Sequence, residues 1–362
     1  MIRLLYSFDT NIMHFSSRQQ KIILLLIEKG TAQSSLIHEE ITKKGENVSL
    51  VTIKRELAEL ANQRVIAVRG GGRSTAYAIT TPGRIFADIN AREYCAVEPD
   101  KRYGMNSYNF DLFPKMPLDV FSDTEQKMLE SATMEYAQRT EHLPPAIQKK
   151  ELERLIIELS WKSSRIEGNT YTLLDTEKLI LENREAPGHD HAEARMIINH
   201  KNAFLFVREH APEFKTITRA NLEQLHAILV SDLSVGTGLR KKPVGVTGSL
   251  YRPLDNLYQI QEGVDALSQA IARMHSPYAK AMTALLGISY LQPFEDGNKR
   301  TARLATNAML LAHACAPLSY RSVDENEYRE ALLVFYEINS IMPFKKIFLG
   351  QYVFAAKNYA VK

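Results

Sequence analysis

Apolar positions in the first eighty residues change period several times, and each change marks an element. Ile22, Ile23, Leu25, Leu26 and Ile27 predict a buried helix over residues 19–29. Leu36, Ile37 and Ile41 predict a second, shorter helix over 34–43 with those three side chains inward. A Gly45-Glu46-Asn47 turn follows. Ser49 then stands where an N-cap belongs, ahead of Leu50, Ile53, Leu57 and Leu60 on one helical face. Residues 65–68 and 75–80 read as two short strands around a glycine-rich, basic turn at 69–74. Beyond them, prolines at 82, 99, 114 and 117 and aromatics from Phe86 to Phe113 predict a connector that docks on its neighbours. From Ser122 onward helical periodicity dominates, as in Leu152, Leu155, Ile156 and Leu159. The clear interruption is 243–253, where alternation around Thr247-Gly248 predicts a small β-hairpin.

Three helices and a hairpin with a basic tip describe a winged helix-turn-helix over residues 1–81, with a connector at 82–121 and a helical domain over 122–362. The fold class expected is therefore mainly α. Charge supports the division. Residues 1–84 carry 12 Lys/Arg and 7 Asp/Glu, a net +5, whereas the chain as a whole is only +3. A polyanion partner, DNA, is thus expected on the first domain alone, with Thr52, Lys54 and Arg55 near base edges or phosphates and Arg69 and Arg73 at the wing. A protein–protein adaptor is the alternative, because Glu56 and Glu59 on the same helix oppose a phosphate surface. The two cysteines, Cys95 and Cys315, cannot form a disulfide scaffold and fit a reducing compartment. No signal peptide is evident in the first ten residues, and no apolar run approaches a membrane span, so a cytoplasmic protein without membrane contact is expected.

Residues 291–303 (LQPFEDGNKRTAR) hold the densest chemistry. Pro293 and Gly297 flank a tight turn that runs into good helix formers. Free N–H groups and the positive dipole end of such a helix make an anion site, and Arg300 and Arg303 lie on one face of it. Asp296 is placed to hold Mg²⁺ against bound phosphates. The same residues also fit a plain N-capping turn with solvated arginines.

The stretch resembles the Fic signature, HPFx(D/E)GN(G/K)RxxR, at Pro293, Phe294, Asp296, Gly297, Asn298, Lys299, Arg300 and Arg303. The resemblance covers roughly residues 122–360 and implies an all-helical core that transfers AMP from ATP to a protein Ser, Thr or Tyr hydroxyl. It implies that Phe294 anchors the loop, that Asp296 binds Mg²⁺, and that Gly297, Asn298 and Lys299 with the following amides hold phosphate. Arg300 and Arg303 hold the β- and γ-phosphates. One residue departs from the family: its general-base histidine is Gln292 here. Glutamine accepts a hydrogen bond but cannot carry a proton away, and losing a general base costs about 10²- to 10⁴-fold in rate. Nucleotide binding with impaired chemistry is the expectation. Lys299 also occurs in the phosphotransferase branch of the family, but that branch lacks the second arginine, and Arg303 favours AMP transfer.

A second resemblance lies upstream. Ser163 and Glu167, followed by Gly168, match the family's inhibitory motif, (S/T)xxxE(G/N), on a helix of about 151–168. They stand four apart on one helical face. The resemblance implies that Glu167 pairs with Arg303 and occupies the place of the γ-phosphate. It also makes the hairpin at 243–253 a flap that holds a target in extended form, with Val244 and Val246 supporting it and Ser249 and Tyr251 on its far arm. Relief of inhibition by helix movement, by homo-oligomerisation or by the upstream domain stays open. Asp190 and Glu193 read as a capping box rather than a metal site. The functional expectation is an autoinhibited, impaired adenylyltransferase, with a catalytically silent, nucleotide-binding and DNA-binding regulator as the alternative.

Overall fold

The structure is a computed structural model that describes residues 15–361. The first fourteen positions, where the first domain is expected to begin and no leader is expected, lie outside the described residues. The N-terminal part contains α1 (Ser17–Lys29), β1 (Thr31–Ala32), α2 (Ser34–Lys43), α3 (Leu50–Asn62), β2 (Ile66–Arg69) and β3 (Ala76–Ile79). Two short helices follow, α4 (Thr81–Ile85) and α5 (Ala91–Cys95). The body holds α6 (Asp123–Glu141), α7 (Pro145–Ile166), α8 (Leu173–Glu182), α9 (His191–Glu209) and α10 (Arg219–Leu229). It continues with α11 (Leu257–Arg273), α12 (Pro277–Leu291), α13 (Asn298–Ala312), α14 (Glu325–Ile338) and α15 (Met342–Asn358).

Local chemistry explains the N-terminal elements. Ser16 and Gln19 form a reciprocal capping box at α1, and Ser49 accepts from the Thr52 N–H at α3. The three strands form an antiparallel sheet in the order β1-β3-β2, with Ile66 opposite Ile79 and Thr31 opposite Ala78. Strand β1, two residues long, carries too little pattern to be legible in the sequence. Gly70, at φ +72°, turns the β2–β3 connection, and a side chain there would strike the Ser74 carbonyl. Leu36, expected inward, is 39% exposed, because the buried stripe of α2 runs through Ile37 and Ile41 and the preceding position is rotated by a full residue step.

The body packs around α12, which is buried on all sides, as an apolar helix without a polar face must be. Two glycines let α11 and α12 approach closely. A Cβ at Gly287 would meet Leu267 Cδ1 at 2.3 Å, and one at Gly263 would meet Leu291 Cδ2 at 2.5 Å. Residues 87–94 of the connector join the N-terminal core, and α14 closes that core from below with Val334 and Ile338. The opposite edge of α14 faces the body.

Residues 243–253 correct one expectation. They form no strand pair with each other; their turn is a single Ser249 N–H to Val246 carbonyl bond of 3.2 Å. Pro243 and Pro253 bring no N–H, and Gly245 and Gly248 bring no side chain to a cross-strand pair. The far arm instead lies on the connector, where the Arg252 N–H donates to the Asn106 carbonyl at 2.8 Å.

Candidate nucleotide-binding site

The loop between α12 and α13 is built by residues that hold it in shape. Gln292 ends α12 in a left-handed conformation, φ +47°, and Gly297 opens α13 in another, φ +75°. Asn298 closes the turn with its own amide: Oδ1 accepts from the Phe294 N–H and Nδ2 donates to the Phe294 carbonyl, both at 2.8 Å. Its side chain is therefore a strut, and the donors left to face an anion are the first-turn N–H groups of α13. Phe294 is fully buried and stacks on the His226 ring at 3.8 Å. The His226 Nε2–H donates to the Asp296 carbonyl at 2.9 Å, and burial lowers the pKa of this imidazole, keeping it neutral.

Arg240 braces the loop from behind. It is 1% exposed and donates to the carbonyls of Gln292 at 2.6 Å, of Lys242 at 2.9 Å and of Leu254. Neither His226 nor Arg240 belongs to a recognisable sequence pattern, since each acts on a segment more than fifty residues away.

The loop opens on a cavity of about 500 Å³ lined by Glu167, Val244, Val246, Thr247, Gln292, residues 295–300 and, from α14, Tyr328, Arg329 and Tyr336. Gln292 Nε2 donates to the Ser289 carbonyl at 2.7 Å, leaving Oε1 as the remaining end of the amide. No histidine lines the cavity among the described residues. Asp296 is exposed at its mouth and lies 3.4 Å from Arg300, which is itself buried. Among the described residues no group of three or more His, Cys, Asp or Glu is assembled as a metal site. Asp296, beside the first turn of α13, is the kind of carboxylate Mg²⁺ uses when bound phosphates complete its shell.

Arg303 is fully buried. Its Nε donates to Ser163 Oγ and its NH2 to the Ser163 carbonyl, each at 2.8 Å, and NH2 also reaches Glu167 Oε1 at 2.9 Å. The Tyr328 ring covers the guanidinium at 5.7 Å. Glu167 Oε2 meets a second cation, Lys299 Nζ, at 2.7 Å. Burial pushes the Glu167 carboxyl up, but Arg303 and Lys299 overcome it and hold its pKa at about 2. The resemblance implied the pairing of Glu167 with Arg303, and nothing in the sequence signalled the contact with Lys299. The helix position of Glu167 is fixed by Arg329, which donates to the Ile166 carbonyl at 2.6 Å, and by the Lys162–Glu325 and Arg165–Glu325 pairs.

The remaining predicted positions are dispersed between the cavity rim, the core and the surface. Val244 and Val246 are set against the cavity, Val246 half-buried, while Tyr251 is buried between the Tyr290 and Tyr336 rings, away from the flap edge. Ser249 Oγ donates to Glu337 at 2.6 Å. Lys54, Arg55, Arg69 and Arg73 are exposed, and Thr52 is half-buried. Glu56 is turned toward Arg18, at 3.7 Å, and is 12% exposed, so one of the two opposing acids is withdrawn from that face. Glu193 does not complete a capping box; its carboxylate takes the Thr170 N–H at 2.7 Å, and Asp190 alone caps α9.

A mainly helical body, with a turn entering a helix N-terminus and a glutamate from another helix closed over its arginine, defines the class of fold. Residues 216–310 match the sequence model of the Fic/DOC family. Relatives include the protein adenylyltransferase Fic of Nematostella vectensis, 26% identical over 188 residues that cover 51% of this chain and 44% of that protein. The protein of the same name from Drosophila erecta is 25% identical over 231 residues, 62% of this chain and 46% of its own. The chain thus spans less than half the length of these curated relatives. Similar solved structures include Fic-1 from C. elegans, with a TM-score of 0.54 and 18% identity over 65% of this chain and 72% of that one. A Fic family protein from Desulfovibrio desulfuricans gives 0.55 and 20% over 67% and 75%. No helix among the described residues is long and apolar enough to cross a membrane.

Proposed function

We propose that the helical domain, taken as 122–362, is an adenylyl-transfer module held off by Glu167 and weakened at Gln292. The observation that carries the reading is the Glu167–Arg303 pair at the mouth of α13, a carboxylate seated where a phosphate would be held. In the reaction, a target hydroxyl oxygen attacks the α-phosphorus of ATP, the bond to the β-phosphate oxygen breaks, and pyrophosphate leaves. The hydroxyl proton must go to a base. Gln292 orients the hydroxyl through Oε1 but cannot accept its proton, so solvent takes it and the step is slow. Arg300 and the first-turn amides of α13 steady the phosphates, and Asp296 with bound phosphates supplies the place for Mg²⁺, which offsets the charge on the leaving pyrophosphate. Val244–Thr247, along the cavity rim, supports an extended target segment.

The test is transfer of labelled AMP by the Glu167→Gly protein, alone and combined with Gln292→His. We expect little from the single variant and about 10²- to 10⁴-fold more from the double. Failure of the double variant to label itself or any lysate protein rejects the enzyme reading.

The second reading is a nucleotide-responsive regulator that binds DNA through a winged helix at residues 1–81. The arrangement of α1–α3 with the β2–β3 hairpin and the exposed Lys54, Arg55, Arg69 and Arg73 favour it. So does the absence of a histidine from the described lining of the cavity.

A further inference from the structure

Lys299 occupies a position that electrostatics alone would refuse. It lies in the first turn of α13, where the helix dipole is positive, and no acidic residue of that turn offsets it. Arg300 follows it, buried, with NH1 lacking any hydrogen-bond partner among the described residues. Two adjacent cations at a helix N-terminus are stable only beside an anion supplied from elsewhere. In this structure Asp296 stands 3.4 Å from Arg300, and the anion beside Lys299 is Glu167, whose two oxygens are divided between Arg303 and Lys299 at 2.9 and 2.7 Å.

The two cations hold it differently. Arg303 is immobile: two bonds to Ser163 and the Tyr328 ring fix its plane, and it is fully buried. Lys299 is 36% exposed at its side chain and has only the carboxylate as its ion-pair partner on the described surface. A lysine is a point charge on a flexible stem and follows its anion, whereas an arginine in a fixed fork waits for one. When Glu167 leaves, Lys299, Arg300 and Arg329 line the cavity and Arg303 lies buried beside them, against Glu295 and Asp296 as the remaining acids of the lining. That excess of positive charge suits the three phosphates of a nucleoside triphosphate better than the two of a diphosphate.

We propose that Lys299 serves two partners in turn, latching Glu167 at rest and binding the terminal phosphate of a nucleoside triphosphate once Glu167 withdraws, so that the open site selects tri- over diphosphate. The inference rests on the nucleotide-pocket reading above and adds a residue to its regulation. Lys299 is therefore the residue that makes binding of the carboxylate and binding of the terminal phosphate mutually exclusive at a single ammonium group.

The test uses the full chain in four forms: wild type, Lys299→Gln, Glu167→Gly and the double variant. Thermal unfolding without nucleotide reads the latch. Lys299→Gln is expected to lower the Tm of the wild type and to leave that of the Glu167→Gly protein unchanged or raised. Equal shifts in both backgrounds overturn the proposal. Calorimetric titration with Mg·ATP and Mg·ADP reads the second partner. In the Glu167→Gly background, Lys299→Gln is expected to weaken ATP about tenfold and ADP by less than about threefold. Equal losses for the two nucleotides also overturn it. If the Glu167→Gly protein binds no ATP at all, the pocket reading itself fails and the proposal falls with it, an outcome distinct from either of the others.

Discussion

Tyr94 and Glu337, 243 positions apart in sequence, meet through a 2.6 Å hydrogen bond inside the protein. The same carboxylate accepts from Ser249 at 2.6 Å and pairs with Arg102 at 3.1 Å, and Arg102 in turn donates to the Gly248 carbonyl. One side chain of α14 thus ties the connector to the cavity-rim segment 243–253. The phenol is kept neutral by burial and by the carboxylate it faces, so the group acts as a donor throughout the working pH range.

Replacing Glu337 by Gln is expected to release both attachments together. Arg102 is buried, and leaving its charge unpaired costs about 3–5 kcal/mol. Hydrogen exchange should accelerate at residues 102–107 and 244–250 in parallel. Acceleration confined to one of these segments contradicts the shared anchor.

Arg240→Met removes the brace of the signature loop and leaves the carbonyls of Gln292, Lys242 and Leu254 without their donor. Each unpaired buried carbonyl costs about 1–3 kcal/mol. The expected result is a lowered Tm together with loss of nucleotide binding measured well below that Tm. Unchanged ATP affinity in a folded Arg240→Met protein would mean that the loop keeps its shape without the guanidinium.

The Glu167 ion pairs set a pH dependence. The carboxyl has a pKa of about 2 in the folded protein, below its unfolded value, so its contribution to stability is complete above the unfolded pKa. It is lost as pH falls from about 4.5 toward 2. Glu167→Gln should therefore be less stable than wild type at pH 7, with the gap in Tm closing across that acid window. A gap that is constant from pH 7 to pH 3 argues against a charged latch.

On the second reading proposed above, in which the N-terminal module binds duplex DNA, that binding is expected to weaken with salt. Charge reversal at Lys54, Arg55, Arg69 and Arg73 should flatten the slope of log affinity against log salt by about 0.9 for each phosphate that is no longer neutralised. A slope that stays the same in the reversed protein places these side chains off the DNA.

Much of the local architecture is readable in the chain. The cap at Ser49 and the one-face spacing of Ile53, Leu57 and Leu60 are interactions within a few residues, and their pattern is written in consecutive positions. The segment 243–253 misleads for the opposite reason: alternation suggests a hairpin, but Tyr251 gains more by burying its ring between Tyr290 and Tyr336, and the connector supplies the backbone partner.

By itself the sequence determined the Ser49 cap, the one-face apolar spacing of α3 and which loop enters α13 with two arginines. Those are properties of spacing and side-chain chemistry. Only the tertiary structure decided that Glu167 is shared between Arg303 and Lys299, that Arg240 and His226 hold the loop, and that Asn298 is a strut. The reason is physical. A carboxylate chooses its partners by distance in a low-dielectric interior, and that distance is set by how α7, α13 and α14 pack, which no run of consecutive residues encodes.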